Sequence, residues 1–164
     1  MFLRRAATCA ALCMPLLAGA AEWNLRLDGI GPLTVGMRFK DANAQLHGTL
    51  EPDPGSQSAC YYARAPGHPQ FALMFVGDVL RRVDVMEGGV RTAEGVAVGD
   101  PVKHVFDAYR RVAAERHAYD ERERYLTVRS PDGRLALRFE TREGRISAFY
   151  AGRYKEVQYI EGCL

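Results

Sequence analysis

The apolar positions along the chain follow two spacings. Leu135, Leu137 and Phe139 alternate with their neighbours, the period-two pattern of a strand with one buried face. Phe71-Ala72-Leu73-Met74-Phe75 matches that run at an offset of 64 residues. A turn pair and a further strand-like run follow each: Gly77-Asp78 before residues 79–85, and Glu143-Gly144 before residues 145–151. Strands are also expected over residues 59–63 and 125–129, with Ser130-Pro131-Asp132-Gly133 as a hairpin turn after the second. The other spacing is helical. Phe39, Ala42 and Leu46 fall at i, i+3 and i+7, and Val102, Val105, Phe106, Tyr109, Val112 and Ala113 form a wider stripe. That stripe predicts a helix reaching Ala113, with Asp100 as N-cap and Pro101 as its first residue.

These elements occur twice. Leu33-Thr34-Val35-Gly36-Met37 is echoed 63 residues later by Val96-Ala97-Val98-Gly99-Asp100, and each corner opens a helical segment followed by strands. The expected fold class is therefore α+β: one domain over residues 22–164, built of two similar units at about 30–86 and 94–151. Each unit would be a helix followed by about three antiparallel strands forming a sheet. Residues 87–92 link the units, residues 52–56 and 65–69 read as loops, and a tail strand is expected over residues 157–160.

Residues 1–21 carry a different pattern. Arg4 and Arg5 precede a short apolar run from Ala6 to Leu17, and Ala18-Gly19-Ala20 follows. This order is that of a secretory signal peptide cleaved after Ala20 or Ala21, the alternative being a hydrophobic first helix of the domain. The run falls short of the roughly 20 apolar residues a membrane-spanning helix needs, so no stable membrane span is expected. The expected location is periplasmic or secreted. Processing would remove Cys9 and Cys13 and leave Cys60 and Cys163, which an oxidising compartment would join as a disulfide. Two buried thiols are the alternative. The formal charge of +2 resides in Arg4 and Arg5, and the remaining chain has 20 basic and 20 acidic residues. Such a neutral chain lacks the general electrostatic attraction that brings proteins to nucleic acid.

No catalytic signature is present. His47, His68, His104 and His117 form no H-x-x-x-H pair and adjoin no cysteine at ligand spacing, so no metal is expected. Ser56 follows Gly55 in a proline-rich loop and lacks the strand-to-helix elbow of a nucleophilic serine. Gly29, Gly31 and Gly36 do not have dinucleotide-binding spacing, so no cofactor is expected. Glu115, Asp120, Glu121 and Glu123 are close enough in sequence to divide acid and base roles on a glycan. The interspersed Arg116, Arg122 and Arg124 would hold those carboxylates ionised, and a solvated helix end and turn is the simpler reading. Beyond residue 21 the chain has 17 arginines against 3 lysines, together with eight tyrosines. Arginine and tyrosine are the residue types favoured as interface anchors, and Tyr61, Tyr62, Tyr119, Arg122 and Arg124 are the candidates for contact with a protein partner.

The Val-Gly corner that opens an amphipathic helix, at residues 33–46 and again at 96–109, followed each time by antiparallel strands, resembles the β-lactamase-inhibitor-protein-like fold. It is also similar to the small domain of the SmpA/BamE outer-membrane assembly lipoproteins. The resemblance implies an exported, non-catalytic binding module that engages another envelope or secreted protein, as inhibitor or scaffold. It carries over no individual contact residue. The inhibitor type has a disulfide within each repeat, from which this chain departs. Two other readings of the sequence are a small cell-envelope hydrolase using the carboxylates near 115–123 and an envelope protein that holds a small ligand or lipid.

Overall fold

The computed structural model describes residues 23–54 and 59–163. The expected leader, with Cys9 and Cys13, lies outside the described residues. Three short strands, β1 (Leu25–Arg26), β2 (Gly29–Ile30) and β3 (Leu33–Thr34), make a small antiparallel sheet. Helix α1 (Phe39–Gln45) leads into β4 (Glu51–Pro52), β5 (Cys60–Arg64), β6 (Phe71–Val76) and β7 (Val79–Val85). Helix α2 (Lys103–Ala108) leads into β8 (Ala113–Arg116), β9 (Arg124–Arg129), β10 (Leu135–Arg142) and β11 (Arg145–Arg153), and α3 (Tyr154–Val157) follows directly. Strands β4 to β11 form one antiparallel sheet in the order β4-β5-β6-β7-β11-β10-β9-β8.

The strands are set by alternation and by turn chemistry. Gly77-Asp78 and Glu143-Gly144 close two-residue hairpins with positive φ at both positions, the geometry whose twist matches that of the flanking strands. The two corners dock onto these hairpins. Gly36 N donates to the carbonyl of Leu80, and Gly99 N to that of Ile146, each at 2.8 Å. A residue is bulged in each inner strand, Arg81 in β7 and Ser147 in β11, because the register shifts there.

One face of the large sheet is the core. A continuous row runs Phe71, Val85, Phe149, Phe139, Leu126 across β6, β7, β11, β10 and β9, and all five are buried. A second row runs Ala63, Leu73, Val83, Ala151, Leu137. Ala42 and Leu46 of the α1 segment, Val105 of α2, and Leu25, Ile30 and Leu33 of the small sheet pack over these rows. Each large apolar side chain so buried contributes on the order of 1.5–3 kcal/mol.

The expectation of an α+β chain made of two helix-plus-sheet units is overturned. The fold is mostly β, and β7 pairs with β11 so that the strands of both halves share one eight-stranded sheet. Its three helices among the described residues are only seven, six and four residues long. The helix expected to reach Ala113 stops at Ala108, where Tyr109 turns extended, and Ala113–Arg116 is a strand paired with β9. Pairing along β9 therefore overrides the helical stripe. Asp100 does not cap α2: its carboxylate accepts the amide of Ala97, and Pro101 bridges to Arg145. The expected tail strand is also absent, since Val157 ends α3 and turns follow.

Candidate binding site

Strand alternation sends every second residue of the large sheet to the face opposite the core. There charged and hydroxyl-bearing side chains stand among small or apolar ones: Tyr62, Met74, Arg82, Gly152, Ala136 in one row, and Ala72, Asp84, Tyr150, Arg138, Thr127 in the next. Arg82 is 3% exposed and Asp84 7%. Arg82 grips Asp84 with Nε and Nη2, each at 2.7 Å from a carboxylate oxygen. Its Nη2 also donates to the Tyr62 hydroxyl, which donates to Asp84, both at 2.7 Å. Its Nη1 donates to the carbonyls of Glu156 and Tyr159, each at 2.8 Å, and its guanidinium lies 4.6 Å over the Tyr150 ring. Burial works against the charge on Arg82, but Asp84 more than offsets it and leaves the guanidinium above its ordinary pKa.

Arg138 repeats the arrangement further along the sheet. Its Nε donates to Thr127 at 3.0 Å, its Nη2 to Glu115 at 2.6 Å and to Gln158 at 2.5 Å, and it lies over Tyr125. Both arginines thus bond to the C-terminal tail, which the Cys60–Cys163 disulfide fastens to β5 across a separation of 103 residues. The tail covers one end of the polar face. Gly152 lies beneath this layer, where a Cβ would stand 2.0 Å from the Arg81 carbonyl oxygen, so β7 and β11 approach there only because residue 152 is glycine.

Burial raises the Tyr62 phenol far above its ordinary pKa, with Asp84 adding to it, and raises Tyr150 likewise, with Glu140 adding to it. A phenol kept neutral in the fold contributes stability that is present below pH 10 and lost above it, as the unfolded chain ionises first. These two groups together are expected to lower stability by about 2.7 kcal/mol per pH unit above pH 10. Urea unfolding at pH 8, 10 and 11, with tyrosinate absorbance followed in parallel, checks this. Because the other tyrosines add to that absorbance, the reference is Tyr62→Phe/Tyr150→Phe, and an equal loss of stability with pH in the two proteins would contradict it.

The other end of the polar face is open. A cleft of about 670 Å³ lies between the segment joining β8 to β9 and the β10–β11 hairpin, lined among others by His117, Tyr119, Asp120, Arg122, Glu140 and Arg142. His117 stacks on Tyr125 at 4.5 Å, its Nδ1 accepts the Tyr119 amide, and its Nε2 stands 3.7 Å from Glu140. Glu140 also accepts from the Tyr150 hydroxyl at 3.1 Å. Glu123 fastens the two walls together, accepting the Thr141 hydroxyl and the Glu143 amide at 2.7 Å each. Those two bonds, the amide's first, hold its carboxyl below the usual range. Side-chain hydrogen bonds from Arg122 hold Asp120 at about 2. Tyr119, 69% exposed, stands at the rim and donates to Glu161 of the tail. A smaller depression of about 360 Å³, lined by Tyr62, Ala72, Asp84 and the exposed Met86, opens at the same end of the face.

The candidate contact residues thus separate. Tyr119 and Arg122 come together at the cleft. Tyr61 and Tyr62, adjacent in sequence, face opposite ways: Tyr61 packs on Phe75 over the core and donates to Asp78, while Tyr62 belongs to the Arg82 cluster. Arg124 is spent bracing the loop through the carbonyls of Glu121 and Glu123. The sequence reading missed His117, Glu140 and Arg142 as one group, and the buried pairs on the polar face. The signal for the latter was present: Arg82 and Asp84 stand two apart, on one face, in a strand whose other residues apart from Arg81 are apolar.

Among the described residues no helix is long and apolar enough to cross a membrane. No protein-family model and no curated protein matches the chain. Among solved structures it is similar to the uncharacterized protein yfeY from Escherichia coli, at 13% identity over 79% of this chain and 99% of that one, with a TM-score of 0.50. It also matches a cysteine-rich secretory protein from Staphylococcus aureus at 11% identity, over 87% of this chain and 52% of that one, with a TM-score of 0.45. At such identity the likeness to the first is one of fold alone.

Proposed function

We propose that this chain is an exported, non-catalytic binding module that engages another envelope or secreted protein, as an inhibitor or a scaffold. The observation that carries the reading is the cleft at the open end of the polar face. It presents Tyr119 and Arg122, residue types favoured as interface anchors, at the rim of a polar floor where the carboxylates of Asp120, Glu123 and Glu140 already have partners. A glycan hydrolase needs one carboxyl raised toward neutrality to act as general acid. Asp120 and Glu123 are shifted the other way, which disfavours the hydrolase reading. The charged lining also suits a protein surface better than a lipid, which wants an apolar wall. Export is supported by the leader pattern at residues 1–21 and by the disulfide, which persists in oxidising compartments.

The test uses the oxidised chain immobilised against a cell-envelope extract, beside a Tyr119→Ala/Arg122→Ala variant. The wild type is expected to capture a protein that binds saturably in calorimetry, and the variant to bind it at least about 2 kcal/mol more weakly. Equal capture by both forms would remove the cleft from the account. Turnover of peptidoglycan that is abolished by Asp120→Asn or Glu123→Gln would replace binding with catalysis.

A further inference from the structure

The large sheet ends on one side in β8, whose four residues are all exposed and which pairs only with β9. His117 N donates to the Glu123 carbonyl in the same register, so the pairs 113↔127 and 115↔125 are the hydrogen-bonded ones. Ala114 and Arg116 consequently aim their N–H and C=O groups outward. Among the described residues nothing bonds to that edge.

The edge is also strongly cationic. Arg110, Arg111, Arg116 and Arg129 are all exposed around it. No carboxylate among the described residues pairs with Arg110, Arg111 or Arg116, and Arg116 stands directly opposite Arg124, a like-charge neighbour. Glu115, the one acid on the strand, is turned onto Arg138 of the polar face. Two depressions, of about 620 and 390 Å³, flank the entry to β8 and share Arg111 and Arg129.

We propose that the β8 edge accepts an extended, acidic segment of a partner protein as a ninth strand. The main chain of that segment bonds to Ala114 and Arg116, and its carboxylates face Arg110, Arg111, Arg116 and Arg129. A second copy of this chain is the poorer occupant, because two such edges would set arginine against arginine. None of these residues lines the cleft, so the inference stands apart from the function proposed above.

The probe is a fluorescein-labelled eight-residue peptide alternating glutamate and threonine, titrated into the oxidised full chain at low salt, with a lysine–threonine peptide as control. The acidic peptide is expected to bind, to weaken with salt, and to slow exchange of the Ala114 and Arg116 amides about tenfold or more. Ala114→Pro removes one outward N–H without touching the β8–β9 bonds and is expected to weaken binding about five- to tenfold. The surface pair Arg110→Glu/Arg111→Glu is expected to abolish it, and keeps the test alive if the proline variant unfolds. Unchanged binding by Ala114→Pro that folds normally would mean attraction by charge alone, and equal binding of the lysine peptide would remove charge complementarity. Absence of amide protection would overturn the proposal. Protection that grows with protein concentration and without peptide would identify the occupant as a second copy and do the same.

Discussion

Truncating Arg82 to alanine is expected to cost the fold about 3–5 kcal/mol, the loss seen when one member of a buried ion pair is removed. The loss comes less from the attraction given up than from what is left behind. Asp84 would stay buried with Tyr62 as its remaining side-chain partner, and the carbonyls of Glu156 and Tyr159 would lose their donor. Arg82→Lys is expected to recover little, because an ammonium cannot grip both carboxylate oxygens and reach two carbonyls at once. Replacing the pair together, as Arg82→Met/Asp84→Leu, is expected to cost less than the single truncation, since no charge is stranded. Urea unfolding of the oxidised chain measures all three. A single-variant loss below about 1 kcal/mol, the value of an exposed pair, would mean that the cluster is solvated.

Removing the disulfide by Cys60→Ala/Cys163→Ala is expected to cost up to about 4–5 kcal/mol, from the entropy of closing a loop of roughly 100 residues in the unfolded chain. The same tail is held by Arg82 and Arg138, so it is expected to stay docked in the variant while its amides exchange faster. Because the disulfide and Arg82 fasten one segment, their losses are expected to be non-additive, with a coupling of at least about 0.5 kcal/mol in a double-mutant cycle. Strict additivity would mean that the tail and the polar cluster are independent.

The parts of this fold legible in the sequence are those decided by near neighbours. Strands β6, β7, β10 and β11 could be read because alternation and the Gly77-Asp78 and Glu143-Gly144 turns lie within a few residues of each other. The cysteine pair could be read from the cysteine count together with the leader-like pattern of residues 1–21. What could not be read depends on distant pairing. Nothing local tells residues 79–85 to lie against residues 145–153, and that single junction turns two expected units into one sheet. The helical stripe continues to Ala113, yet β9 offers residues 113–116 a ladder, and residues 109–112 leave the helix to reach it. The site divides in the same way. Tyr119 and Arg122 were found by residue type, three positions apart in one segment. His117, Glu140 and Arg142 meet them only after β9 and β10 pair, and Tyr61 was misplaced because a period of two sends it away from Tyr62.

The central claim is that the chain recognises a protein at the open end of its polar face. It is tested most directly by placing a photo-crosslinking amino acid at position 119, with position 40 on the exposed side of α1 as control. Irradiation in envelope extract is expected to give one saturable protein adduct from position 119 and none from position 40, and Arg122→Glu is expected to suppress it. Adducts equal at the two positions, or none at either, would contradict the claim.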